Sequence, residues 1–374
     1  MTPPAESDRA AESRSAPNQA EDRRHDGAQA TNEPVPEEKR VSWAELFFDL
    51  VFVFAVTEVS TLLRGDHAPA GVGRAAIIFV PIYWVWVGTS IRANTHDITS
   101  RRQLSLFTIA LAGLVMALAV PDAYHGRALL FAAGYWAARL VLGSRLFTGT
   151  RSTFSVFVVS MVITGPLLVI GAFVHGSGQV ALWALAAAVD LATPRLLRTH
   201  VRQRLRVNGA HLAERYGSFV LIALGESVVT IGAPVAGDQP LRAGSLVAVA
   251  VSFAVCCGLW WVYFQHTAET VRRALDTAAD QTDIIRTVLS YGHLLLIAGI
   301  IAMAVGLHEV VTAPGARLGW EVAGLLFAGC ALYLATFGYT RRRMRQQVSP
   351  PDWSPPPSCC CSCPPHDSCP PWLS

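Results

Sequence analysis

Charge is what this chain has least of. Only 15% of its 374 residues are Asp, Glu, Lys or Arg, while 52% are apolar. A soluble domain carries roughly 25% charged residues, so the composition points to a membrane protein. Lysine is nearly missing: Lys39 is the only one, and the other basic residues are arginines. With so much alanine and glycine beside it, this arginine bias reads as GC-rich coding rather than chemistry. The net charge of +3 is too small to suggest a nucleic-acid partner. The motifs of soluble enzymes are missing too: no phosphate loop after a strand, no nucleophile elbow, no HExxH and no heptad repeat. An enzyme is therefore disfavoured. No basic start leads into an apolar run at the N-terminus, so no cleavable signal peptide is expected. Cysteines are present without metal spacing. Cys359, Cys360, Cys361, Cys363 and Cys369 crowd one tail in an order that no paired zinc motif uses, and Cys256, Cys257 and Cys330 lie in apolar segments as packing residues. No metal or cofactor is expected.

What the chain does have is apolar length. From Trp43 onward, ten segments come near the ~20 residues needed to span a bilayer. They run over about 44–63, 73–92, 103–121, 127–147, 154–174, 179–198, 212–233, 244–265, 285–307 and 319–340. Backbone groups in lipid must be paired within their own segment, so each is a helix. The expected fold is all-α, a polytopic transmembrane bundle of about ten helices. Residues 1–40 have almost no large apolar side chain and read as a disordered cytoplasmic tail. Residues 41–345 form the membrane domain. Residues 346–374 turn abruptly to Pro, Ser and Cys and read as a disordered tail, whose composition suggests a shifted frame or truncated gene. Pro81, Pro166 and Pro194 should kink or break their helices locally. Trp84 and Trp86, then Trp260 and Trp261, lie toward segment ends, where aromatics favour the membrane interface.

Arginine placement gives an orientation. The even connections and the two flanks, with Arg139 and Arg286 counted among them, hold 20 basic residues against 5 in the odd connections. Under the positive-inside rule both termini face the cytoplasm, and the protein belongs in the bacterial inner membrane. A repeat is also visible. Ala44-Glu45 with Glu58 parallels Ala213-Glu214 with Glu226, and Tyr83-Trp84-Val85-Trp86 parallels Trp260-Trp261-Val262-Tyr263. The unit would be six helices in tandem, with the second copy incomplete.

Acids inside the apolar segments are the candidate functional residues. An Asp at a helix centre in hydrocarbon costs ~2.5–3.5 kcal/mol on insertion scales, so each needs a partner, a proton or a water-filled cavity. Asp49 and Glu58 in the first segment, Glu226 in the seventh and Asp190 in the sixth are the translocation or binding candidates. Asp190 stands four residues before Pro194, where a loosened helix could supply a polar pocket. Glu45 lies one turn before Asp49 and reads as a headgroup-level acid at a helix start, with Asp49 free to pair with an arginine. Glu226 follows Gly225, which would let another helix approach closely. His293 is either a proton relay or a satisfied core histidine. His211, Glu214 and Arg215 can share one face of an ion-paired helix start. His96-Asp97 reads as a solvated turn.

Several of these residues fall in longer blocks. Glu45-Leu46-Phe47-Phe48-Asp49-Leu50-Val51-Phe52-Val53 is similar to the N-terminal signature of the bacterial low temperature requirement A family. His211-Leu212-Ala213-Glu214-Arg215-Tyr216-Gly217 with Leu224-Gly225-Glu226-Ser227 resembles its central signature. Tyr291-Gly292-His293-Leu294-Leu295 with Gly299-Ile300-Ile301 and Ala304-Val305-Gly306 resembles a third block. The resemblance runs from about residue 41 to 340. It implies a polytopic membrane protein tied to growth in the cold, with Glu45, Phe48, His211, Glu214, Arg215 and Gly225 as motif residues, and no established substrate. Members usually continue through further helices where this chain has its Pro/Cys tail.

The leading expectation is a transporter or channel that uses intramembrane acids, with the bilayer and an unidentified small molecule or ion as partners. The alternative is a non-transporting membrane protein: a sensor, a lipid-related factor or an intramembrane enzyme. Acids converging on one water-accessible cavity favour the first. Acids dispersed at helix contacts and capped by Arg or Ser favour the second.

Overall fold

The computed structural model describes residues 41–94, 100–144, 156–196, 207–236, 242–265, 268–278 and 281–347. The expected tails over 1–40 and beyond 347, and the His96-Asp97 turn, lie outside the described residues. Among the described residues there is no strand, and the chain forms eleven helices.

The first, α1 (Trp43–Gly65), starts at Ser42, whose hydroxyl accepts from the Glu45 amide while the Glu45 carboxylate accepts from the Ser42 N–H. This reciprocal capping box pairs two of the free amides that open any helix. Its buried residues recur every three or four positions, at Glu45, Phe48, Asp49, Phe52, Val56, Val59 and Leu63, so one stripe faces inward. After it, the half-buried Asp66 accepts a hydrogen bond from Arg74, which holds its carboxyl below the usual range. That contact fixes the start of α2 (Pro69–Asn94). Then come α3 (Ser100–Ala119), closed by a 3-10 turn over Val120–Asp122, and α4 (Ala128–Gly143).

Helix α5 runs over 156–172 and contains a widened π turn, Ser160–Thr164, just before Pro166. Here proline loosens the helix, as expected, whereas helix continues on both sides of Pro81 and Pro194. The remaining helices are α6 (Ser177–Leu196), α7 (Gly209–Ala236), α8 (Ala243–Phe264), α9 (Ala268–Thr277), α10 (Gln281–Thr312, with a second π turn over Ile285–Gly292) and α11 (Trp320–Gln347).

Ten of these match the ten expected segments. The additional one, α9, is amphipathic: Val271, Ala274 and Leu275 are buried against α7 and α11, while Arg273 and Asp276 are exposed. Among the described residues, seven helices are long and apolar enough to cross a membrane: α1, α2, α3, α7, α8, α10 and α11. Helices α4 and α5 are apolar but shorter.

The two halves share a packing order. Helix α1 lies against α2 and α3, and α3 against α4; likewise α7 lies against α8 and α10, and α10 against α11. The α10–α11 contact is backbone to backbone. A methyl group at Gly329 would stand 2.6 Å from the Met303 nitrogen, and one at Gly299 would stand 2.8 Å from the Gly329 oxygen. Small residues thus let these helices touch where lipid gives no hydrophobic drive to associate. The halves meet where α1 packs on α7 and α10. This α1–α7 contact is what two acid-bearing helices require if neither acid is to face lipid.

Several expectations about placement are corrected. Trp84 and Trp86 do not sit at the interface; they are 3% and 0% exposed, and Trp86 stacks on Phe219 of α7 at 4.2 Å. Of these four tryptophans, Trp260 and Trp261 are the two on the surface. Arg139 is not a connection residue. It lies inside α4 and is buried, so it cannot count toward the charge of a loop. Arg286 is also buried, held by Asp283 at the start of α10. Of the three cysteines in apolar helices, Cys256 is buried, Cys330 half-buried and Cys257 exposed, so only the first is a full packing residue.

Candidate functional site

The α1–α7 junction is built around Arg215. It is fully buried nearly two turns into α7, with Phe48 beneath it, the guanidinium carbon 5.3 Å from the ring centre. Its Nη1 donates to Glu45 Oε1 at 2.8 Å, and its Nη2 donates to Asp49 Oδ1 at 3.2 Å. One guanidinium therefore bridges two acids one turn apart on α1, a geometry that its planar fork suits and a lysine's point charge does not. Glu45 is not at the headgroups as expected; it is fully buried, because its capping position is itself covered by α7.

His211 lies one turn before Arg215, on the same side. Its Nε2 is 3.2 Å from Glu45 Oε2, and its Nδ1 is 3.0 Å from Asn94 Nδ2. The backbone of Asn208 fixes how Asn94 points. The Asn208 N–H donates to Asn94 Oδ1, and Asn94 Nδ2 donates to the Asn208 carbonyl. The amide nitrogen therefore faces His211 Nδ1, which must accept. That leaves the proton on Nε2, donated to Glu45, and the imidazole neutral. On the other side of Asn208, Val207 exchanges bonds with the Gln281 side chain. The entry to α7 is thus held by one amide from each half of the protein.

Glu214 breaks from the expected common face. It is exposed, because a residue adjacent to Arg215 points about 100° round the helix. Among the described residues it accepts the Val41 N–H.

Asp49 is the uneven member of the cluster. Its Oδ1 accepts from Arg215 and from Trp86 Nε1, at 2.7 Å, while its Oδ2 is buried without a partner. Glu45, in contrast, accepts from Arg215, His211, and both the amide and the hydroxyl of Ser42.

Asp190 forms a second, separate cluster. Tyr135 donates to its Oδ2 at 2.5 Å, and Ser160 and Thr164 donate to its Oδ1 at 2.6 and 3.0 Å. Arg139 stands 3.6 Å away and donates from Nε to the Tyr135 hydroxyl. The π turn of α5 carries both Ser160 and Thr164. This is an acid capped at a helix contact with one balancing charge, and it is not an open pocket at Pro194.

His293 is a satisfied core histidine. Its Nδ1 is 3.0 Å from the Val288 carbonyl, which must accept, and its Nε2 is then left to accept from Tyr263, at 2.8 Å. The π turn supplies that carbonyl at i−5. Glu58 and Glu226 are half-buried, and neither has an ion pair or hydrogen bond among the described residues. Gly225 does not admit a neighbouring helix: a methyl group there would meet nothing within 4 Å. Among these acids, the structure brings together Glu45 and Asp49, and leaves Asp190, Glu58 and Glu226 apart from them.

Sequence reasoning passed over Arg139, Trp86 and Asn94. The signal for Arg139 was available. Arg139 and Arg215 are the arginines well inside apolar segments, and an intramembrane arginine needs an acid just as an acid needs an arginine.

The comparisons with known proteins agree with this architecture. No solved structure matches the chain. A protein of Rhizobium meliloti (strain 1021), described only as uncharacterized, is 32% identical over 322 residues, covering 82% of this chain and 78% of its own length. The family model described as Bacterial low temperature requirement A protein (LtrA) matches residues 40–354, a stretch that holds both buried clusters and all three sequence blocks. With a match across most of its length and several helices able to cross a bilayer, this chain is an integral membrane protein of the bacterial low temperature requirement A family.

Proposed function

We propose that the protein is a transporter or channel of the bacterial inner membrane, with both termini cytoplasmic, and that the Glu45–Asp49–Arg215–His211 cluster is the ion-coupled contact between its halves. One observation carries this: two carboxylates share a single guanidinium at a fully buried helix junction, and one carboxylate oxygen has no partner. A purely structural pair is balanced, as Asp190 is by Arg139. An unbalanced one must hold a proton or cation whenever the junction is closed. Glu58 and Glu226 lie further along the same two helices, about 13 Å beyond Asp49 and about 16 Å beyond Arg215 at ~1.5 Å per residue. They extend a line of acids toward the opposite face.

The reading is tested by current measurements on purified protein in proteoliposomes, under imposed proton, sodium or potassium gradients. The wild type is expected to carry current above that of empty liposomes. Asp49→Asn should abolish it, and Glu226→Gln should reduce it while leaving protein yield unchanged. No current under any of the three gradients would sink the reading. The second reading, a non-transporting sensor or lipid-related factor, draws on Asp190, which is capped by Arg139, Tyr135, Ser160 and Thr164 as in a rigid core.

Orientation has its own test. His175 lies exposed in the connection between α5 and α6, on the side opposite both termini if the arginine bias sets the topology. In a cysteine-free background, His175→Cys is expected to react with a membrane-impermeant maleimide added outside the cell. Reaction only from the cytoplasmic side reverses the topology.

A further inference from the structure

The unevenness of the α1–α7 cluster goes further than an ion-coupled contact, because the surrounding atoms say which ion the cluster takes and where it sits. Building on the proposed role of that cluster, we propose that Asp49 is a proton-binding site, its carboxyl held as the neutral acid with the proton on Oδ2 while the junction is closed.

The argument starts from charge. Glu45 and Asp49 face one arginine, and the amide of Asn94 keeps His211 neutral. If both acids were ionised, the buried cluster would hold one uncompensated negative charge, which costs several kcal/mol in a medium of low dielectric. One proton removes it. Four donors converge on Glu45, all of which favour its charged form. Asp49 accepts two, both on Oδ1, in the pattern of an acid whose Oδ1 is the carbonyl oxygen. The proton therefore belongs on Asp49.

A metal cation fits poorly. Hard cations take about six oxygen ligands. Around Asp49 the nearest polar atoms are N–H donors, Trp86 Nε1 and Arg215 Nη2, which would repel a cation. Oδ2 is the one carboxylate oxygen of the cluster without a partner.

Among the described residues no other ionisable group pairs with Asp49. Helix α1 offers Glu45, and α7 offers Arg215 and, beyond Glu45, His211. On α2 the aromatic Tyr83 is engaged with the Leu289 carbonyl, and Arg92 reaches the Leu142 carbonyl. From α10, His293 stands behind Tyr216, its ring centre 4.8 Å from that ring. Residues 103–119 of α3 carry no ionisable side chain. When α1 and α7 part and water reaches Oδ2, the acid gives its proton to water. The cluster then holds two carboxylates against the one guanidinium of Arg215, and the water that has entered stabilises the extra negative charge.

Infrared spectroscopy of the full-length protein in phospholipid vesicles tests this without any flux. Perfusion from acid to alkaline buffer is expected to remove a protonated-carboxyl C=O band that shifts in heavy water. The band should be missing from Asp49→Asn and retained in Glu226→Gln, and Glu45→Gln should also lose it, because Asp49 then ionises to balance Arg215 alone. Asn copies the neutral acid in shape, so Asp49→Asn should also keep the wild-type thermal midpoint. The proposal is overturned if the wild type lacks the band at every pH, or if Asp49→Asn keeps it. It is equally overturned if sodium or potassium abolishes the band at fixed pH, which would place a metal cation on the carboxylate, or if Asp49→Asn unfolds the protein. A wild type that shows the band but carries no current retains the proton site and loses only the transport reading.

Discussion

Arg215→Ala is expected to remove most of the folded protein. Among the described residues Arg215 is the one cation that pairs with both Glu45 and Asp49, and all three are fully buried. Deleting one partner of such a pair leaves the other's charge uncompensated, at a cost of about 3–5 kcal/mol, a large fraction of the stability of most proteins. The arginine stem over Phe48 is lost as well. Size-exclusion profiles and thermal unfolding in mild detergent check this. Arg215→Lys should fall between wild type and Arg215→Ala, because an ammonium cannot fork across two carboxylates. Adding Glu45→Gln to Arg215→Ala should restore part of the loss, since Gln keeps an oxygen for His211 and removes the stranded charge. If Arg215→Ala melts with the wild type, the cluster is not what joins α1 to α7.

How much of this was legible in the sequence depends on distance along the chain. The ten apolar segments could be read because spanning length is a local property. Helix α9 was not, because its apolar edge is three residues wide and its surroundings are polar. His211 and Arg215, one turn apart, could be placed together. Their partner Glu45 is 166 to 170 residues away, and no local pattern reports a tertiary ion pair. Trp86 shows the same limit. A tryptophan near a segment end suits the interface, and only its bond to Asp49 explains why this one is buried. Glu226 is a candidate by sequence because it is an acid inside an apolar helix. Asp49 differs from it in that its surroundings, and not its position, leave one buried oxygen unpaired.

The Arg139–Asp190 cluster should respond in the opposite way to the Arg215 cluster when both its charges are removed. Arg139→Met alone strands Asp190, with Tyr135, Ser160 and Thr164 as its remaining donors. The expected loss is about 3–5 kcal/mol, less whatever is recovered if Asp190 takes up a proton, so the defect should deepen as the pH rises. Arg139→Met with Asp190→Leu removes both charges and replaces them with side chains of similar bulk. Such swaps are often neutral, because the desolvation of two ions is no longer required. Here some cost remains. Ser160 and Thr164 can turn to their own helix carbonyls, but the buried Tyr135 hydroxyl loses its acceptor, at about 1–3 kcal/mol. Adding Tyr135→Phe should close that gap. The expected order of thermal stability is therefore single variant below double, and double below triple, with the triple near wild type. Currents in the triple variant should match wild type, because nothing in that cluster is left uneven. A double variant no more stable than Arg139→Met would mean that the ion pair contributes more than its desolvation costs. Lost current in a stable triple variant would move Asp190 from the scaffold to the ion path.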